Sequence, residues 1–219
     1  MLFRKEIIMK FENIIFDVDG TLWDTTKTVA DSWNYAVETL GYPSAGITGE
    51  QLKNEFGKTM DVIAEDLFPH LPVSERDVLM EACCRWEDEF LERLDIPPLY
   101  PDVRETVAAL AGTHRLFIVS NCQSGYIELF LRKTSLGKYV TDIECFGNTK
   151  KTKGENIRLV MDRNIPGSTC YVGDTAGDQK AAKWAGIPFI YASYGFGQVD
   201  ERDCFASISS IRELTKVTG

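Results

Sequence analysis

A chain of 219 residues, 44% hydrophobic and 26% charged, can bury one good core, or one core and a small second domain, and has an ordinary globular composition. Its formal net charge of −9 argues against sequence-independent nucleic-acid binding, which needs a basic face, but leaves room for an anionic ligand where a metal or a few lysines offset the local charge. No run approaches the roughly 20 apolar residues of a membrane span, and six cysteines with no CxxC pair, beside two histidines, argue for free thiols in a reducing cytoplasm and against a histidine-rich metal site.

Residues 1–8 (MLFRKEII) are too short for a signal peptide and lack a cleavage pattern, whereas Met9 opens MKFENIIFDVDGTL. Residues 1–8 are therefore expected to be a dispensable extension. The first predicted strand is 13–17. From 25 to 94 the pattern is helical throughout: Val29, Trp33, Ala36, Val37 and Leu40 recur at helical spacing, and Gly41 stops that helix. Thr48 and Gln51 fit a capping box ahead of Leu52 and Phe56. Ser74 and Asp77 resemble a second one ahead of Val78, Ala82, Trp86, Phe90 and Leu94. Pro97, Pro98 and Pro101 punctuate a linker, and a helix from Asp102 runs through Leu110 to a stop at Gly112. Short apolar strands are then predicted at 115–120, 142–146, 169–173 and 188–192, alternating with helices. This alternation predicts an α/β fold: a Rossmann-like, doubly wound parallel sheet core over 9–24 and 95–219, with a helical domain inserted over 25–94.

Four features carry chemistry. The strand 13–17 runs into Asp17-Val18-Asp19-Gly20-Thr21-Leu22. Two carboxylates crowded at a strand end repel and raise each other's pKa, a conflict that a divalent cation removes. Asp17 can then attack phosphorus while Asp19 exchanges a proton with the leaving group. An Asp-Gly turn with capping acids is the plain alternative. A second strand ends in Val172-Gly173-Asp174-Thr175-Ala176-Gly177-Asp178, whose acids can face one point as hard oxygen ligands suited to Mg²⁺. Ser120 and Asn121 close the strand 115–120, where a hydroxyl and backbone amides can hold phosphate oxygens. Lys153 opens a helix after Lys150 and Lys151, and a lysine there can neutralise the nucleophile's surroundings, though either neighbour could substitute. All four sit at or beyond strand carboxyl ends, where open parallel sheets bind ligands.

From Met9 to about Gly197 this order of motifs resembles the haloacid dehalogenase-like superfamily, and the helical insert resembles its first type of cap, as in phosphoglycolate phosphatase-like members. The resemblance implies a Mg²⁺-dependent phosphatase acting on a small phosphorylated metabolite through an aspartyl-phosphate. Asp17 would be the nucleophile and a metal ligand. Asp19 would be the general acid/base, its backbone carbonyl also on the metal. Ser120 would hold phosphate, Lys153 would neutralise charge, and Asp174 and Asp178 would complete the metal site. Within the superfamily the alternatives are a sugar-phosphate mutase or a 2-haloacid dehalogenase. Asp19 argues against the latter, since carbon–halogen displacement has no alkoxide to protonate. Outside it, the alternative is a non-catalytic phosphometabolite-binding or regulatory protein. The cap is expected to select the substrate, with Lys58 in Phe56-Gly57-Lys58-Thr59 as the expected contact. Trp23, bulky beside the turn, is expected to narrow access to the site.

Overall fold

The computed structural model describes residues 10–164 and 167–219; residues 1–9 and 165–166, and with them the expected extension and the start at Met9, lie outside the described residues. Six parallel strands, β1 (Asn13–Phe16), β2 (Arg115–Ser120), β3 (Val140–Cys145), β4 (Thr169–Gly173), β5 (Phe189–Ala192) and β6 (Ala206–Ile208), form one sheet in the order β3-β2-β1-β4-β5-β6. The central strands are continuous apolar runs because helices cover both their faces. β3 begins at Val140, ahead of the predicted 142, through a register shift between Leu116 and Phe117 that carries the pairing past Thr141. β6 was not expected: Ala206-Ser207-Ile208 is a short edge strand with no apolar run to signal it.

Between β1 and β2 the described residues are helical, as expected: α1 (Thr26–Thr39), α2 (Gly49–Glu55), α3 (Met60–Leu67) and α4 (Val73–Glu92), followed by α5 (Val103–Leu110). The Thr48–Gln51 capping box forms. The Ser74–Asp77 box does not: α4 starts two residues earlier, at Val73 with Pro72 as its N-cap, so Ser74 lies inside the first turn. The buried stripe of α4 also differs from the expected one. Val78 is exposed, Ala82 is buried and Trp86 and Phe90 are half-buried against Tyr35 as expected, but the deepest residues are Leu79, Cys83, Glu87 and Leu91 at four-residue spacing. The insert has its own apolar cluster, built from Val29, Trp33, Val37, Leu52, Ile63 and Leu79 among others. Its two connections to the core run side by side, with Asp24 N–H donating to the Pro98 carbonyl (2.9 Å) and Tyr100 N–H to that of Leu22 (3.1 Å).

The remaining helices are α6 (Tyr126–Thr134), the short α7 (Phe146–Thr149), α8 (Lys153–Arg163), α9 (Ala176–Ala185) and α10 (Leu214–Val217). Alternation along the strands sends Ile14, Phe16, Leu116, Ile118 and Val172 to the face covered by α5 and α6. Ile15, Phe117, Val119 and Tyr171 go to the face covered by α8 and α9. All six cysteines are free. Among the described residues no helix is long and apolar enough to cross a membrane.

Candidate active site

The chain leaves β1 for β2 and β3 on one side, then crosses back to β4 on the other, so the sheet's topological switch point lies between β1 and β4. Register pairs Phe16 with Val172, and Asp17 N–H donates to the Val172 carbonyl (2.9 Å). Asp17 therefore emerges beside Gly173 and Asp174. The chain must then turn within a residue or two: Gly20 has φ +80°, and a Cβ there would collide with the Asp174 carboxylate.

Lys153 opens α8 behind a Thr152–Glu155 capping box, which aims its side chain back over the sheet. Its Nζ lies 3.0 Å from Asp17 Oδ1 and 2.6 Å from Asp178 Oδ1, all three side chains being buried. Lys151 is exposed, and Lys150 is exposed over the Phe146 ring, so of the three lysines only Lys153 reaches Asp17. Asp178 closes a capping box at the start of α9. Its Oδ2 accepts from Thr175 N–H (2.9 Å), Thr175 Oγ1 (2.7 Å) and Asp174 N–H (3.2 Å). Asp174 accepts from Phe196 N–H (2.8 Å) and Thr21 Oγ1 (3.2 Å).

Oxygens of Asp17, Asp174 and Asp178 lie within 4.8 Å of one another. Burial pushes the Asp17 carboxyl up to about 6, with Lys153 pulling it down and Asp178 pushing it up. Asp174 is held well above the usual range by burial and by the charges of Asp178 and Asp17. Burial acts against the Lys153 ammonium, yet Asp17 and Asp178 together hold its pKa above the ordinary value. Three buried carboxylates against one lysine leave a net negative, all-oxygen donor set, which suits Mg²⁺.

Asp19 belongs to a different cluster. Its Oδ1 accepts from Tyr126 OH (2.7 Å), Thr25 Oγ1 (2.9 Å) and Trp23 Nε1 (3.0 Å). Burial raises its pKa to about 7; the Tyr126 bond lowers it, the Asp17 charge raises it, and the bonds from Thr25 and Trp23 lower it. Trp23 does not narrow access as expected. It is buried edge-on against Tyr126 and Phe130, at ring-centre distances of 5.6 and 4.8 Å, and braces Asp19 from behind. Tyr126 was not legible in advance, because its role depends on α6 passing beneath the strand end.

A cavity of about 30 Å³ lies over these acids. The core lines it with Asp17, Asp19, Ser120 and Asn121, and the insert with Trp33, Phe56, Lys58 and Glu87. Ser120 lines the cavity beside Asp17 and lowers its pKa. Asn121 Nδ2 donates across to the carbonyl of Gly57 (2.8 Å), where φ is +91°. Lys58 lines the cavity, but its ammonium is held by Glu55 (2.8 Å) and Asp66 (2.7 Å). Glu87 was not singled out in the sequence. It is 4% exposed, with Trp33 Nε1 on one oxygen (2.7 Å) and Gln123 Nε2 on the other (3.1 Å). The signal was present as an acid interrupting the stripe Leu79, Cys83, Leu91.

A parallel sheet that gathers acids from adjacent central strands at its switch point, beneath a helical insert between the first two strands, defines a class of α/β hydrolases. The chain belongs to the haloacid dehalogenase-like hydrolases, whose family model matches residues 14–192, and it is a phosphoric monoester hydrolase. It is similar to the phosphoglycolate phosphatase of Nitrosospira multiformis, at 29% identity over 215 residues, covering 93% of this chain and 94% of that protein. In fold it is similar to a predicted phosphoglycolate phosphatase from Haemophilus somnus 129PT, with TM-score 0.82, 21% identity and coverage of 95% and 98%. It is also similar in fold to a hydrolase of Bacillus subtilis determined bound to magnesium, with TM-score 0.72, 19% identity and coverage of 95% and 99%.

Proposed function

We propose that the protein is a Mg²⁺-dependent cytoplasmic phosphatase that hydrolyses a small phosphorylated metabolite through an aspartyl-phosphate on Asp17. Residues 9–24 and 95–219 form its catalytic core and 25–94 its cap. The observation that carries this reading is the division of labour between two acids two residues apart. Asp17 is paired with the Lys153 ammonium, while Asp19 is held by the neutral donors Tyr126, Thr25 and Trp23. Neighbouring acids in such different environments suit one as an ionised nucleophile and the other as a proton carrier near neutral pH.

Asp17 attacks phosphorus, forming an O–P bond as the ester P–O bond breaks. Asp19 delivers its proton to the departing oxygen. In the second step Asp19 takes a proton from water, the resulting hydroxide attacks phosphorus as the Asp17–phosphorus bond breaks, and inorganic phosphate leaves with Asp17 restored as a carboxylate. The Ser120 hydroxyl and the backbone amide of Asn121 hold phosphate oxygens, and Lys153 keeps Asp17 ionised and oriented. Asp17, the backbone carbonyl of Asp19 and Asp174 hold Mg²⁺, with Asp178 adding a third carboxylate charge while it secures Lys153 and the Thr175 turn. When bound, the cation supplies neutralisation of the charge shared by the phosphate and these acids. The magnesium-bound Bacillus hydrolase of the same fold supports that choice of metal. Phosphate release from an aryl phosphate, with Mg²⁺ and in excess chelator, tests the metal. Trapping the phosphoenzyme tests the nucleophile: label is expected on Asp17, and label on Ser120 would overturn the mechanism.

A further inference from the structure

The cavity wall beyond Asp19, where a leaving group has to sit, has an unusual balance of charge and hydrogen bonding. Glu87 projects into it from α4, buried, with its two oxygens turned to Trp33 and Gln123. Each carboxylate oxygen has capacity for more than one donor, so Glu87 can accept again. Asn121 Oδ1 is buried and has no hydrogen-bond partner, while its amide nitrogen is tied to Gly57. Both groups ask for a donor. Among the described residues lining the cavity the only lysine or arginine is Lys58, and its charge is already met by Glu55 and Asp66. Phe56, Met60 and Ile63 complete the wall and offer no polar group.

A leaving group bearing a carboxylate would therefore meet Glu87 and Asp19 with no free cation to answer it. Burial opposes the charged form of Glu87 against the donors Gln123 and Trp33, and the charges of Asp19 and Asp88 oppose it further, so its ionisation calls for a cation or donor. A further anion beside it would deepen that conflict, and a donor would relieve it. The space over the acids is narrow, about 30 Å³ within a cavity partly open to solvent, and favours a small group. Resting on the phosphatase reading above, we infer that the leaving group is small, bears a hydroxyl or an ammonium and no carboxylate, and is selected by Glu87 of the cap. The protein would then differ in substrate from the phosphoglycolate phosphatases it resembles.

The test is kcat/KM of the full chain with Mg²⁺ on phosphoethanolamine, glycerol 3-phosphate, phosphoglycolate and an aryl phosphate. Phosphoethanolamine or glycerol 3-phosphate should exceed phosphoglycolate by at least about tenfold. A lead for the first identifies an ammonium, and a lead for the second a hydroxyl. In Glu87→Gln, which keeps the shape and removes the charge, the ratio of the better of these to phosphoglycolate should fall about tenfold. Phosphoglycolate turned over as well as or better than both by the wild type overturns the inference, whatever the variant does. An unchanged ratio in a folded Glu87→Gln overturns the role of Glu87. Hydrolysis of the aryl phosphate with phosphoglycolate leading sinks this inference alone; failure to hydrolyse any of the four sinks the phosphatase reading and this inference with it.

Discussion

Two buried carboxyl groups face one cavity from opposite walls and are kept there by different means. Asp17, on the core, is paired with an ammonium, and its pKa rises to about 6. Glu87, on the cap, is held by an indole and an amide, and its pKa rises to about 8. Neutral donors satisfy a carboxylate's lone pairs without cancelling its charge, whereas a cation does both. The core wall is thus arranged to keep an anion ionised in a dry place, as a nucleophile requires. The cap wall holds an acid whose ionisation waits for a partner.

The comparison breaks first at Asp17. Asp17→Asn should bring turnover to background while the fold persists, because an amide in this place removes a buried charge; phosphate release together with a circular dichroism melt checks both halves. Next comes Asp19→Asn, expected to lower kcat by roughly 10²–10⁴ on alkyl phosphates and by less on an aryl phosphate, whose leaving group needs no proton. Equal losses on both would remove Asp19 from the proton transfer.

Lys153→Met tests the cation itself. Removing one partner of a buried pair leaves Asp17 and Asp178 uncompensated, at a cost of about 3–5 kcal/mol in unfolding free energy. Added Mg²⁺ should recover part of that loss if the acids hold it, and a denaturant melt with and without the metal reads the recovery. The last effect, of comparable size over its whole pH window, belongs to the cap. Glu87 has a folded pKa above its ordinary 4.5, so its contribution to stability is full below about 4.5 and is lost as pH rises, completely once pH passes about 8. Wild type should therefore lose stability relative to Glu87→Gln between pH 5 and 8, by on the order of 1 kcal/mol per pH unit. Parallel stability–pH curves would mean that Glu87 is not held as an uncompensated acid.

Local chemistry made much of this molecule legible in one dimension. Asp17, Asp174 and Ser120 each end an apolar run, and in a parallel sheet such ends share one edge. Apolar runs and the carboxylates that end them therefore predicted which residues would meet across more than 150 positions of chain, as Asp17 and Asp174 do. The Thr48 capping box and the Gly20 turn were legible for the same reason, since each is decided within a few residues. Three things were decided only by the fold. Which lysine serves Asp17 depended on where α8 starts relative to the sheet. Trp23 could not be read as a brace for Asp19 until α6 supplied Tyr126 and Phe130 to pack against it. In α4, two neighbouring stripes are both amphipathic, and α1 buries the one that contains Leu79, Cys83 and Glu87. A helix's period says that some face is buried, but the choice between adjacent faces is made by the partner packed against it, and here that choice puts a carboxyl group in the cavity lined by Asp17 and Asp19.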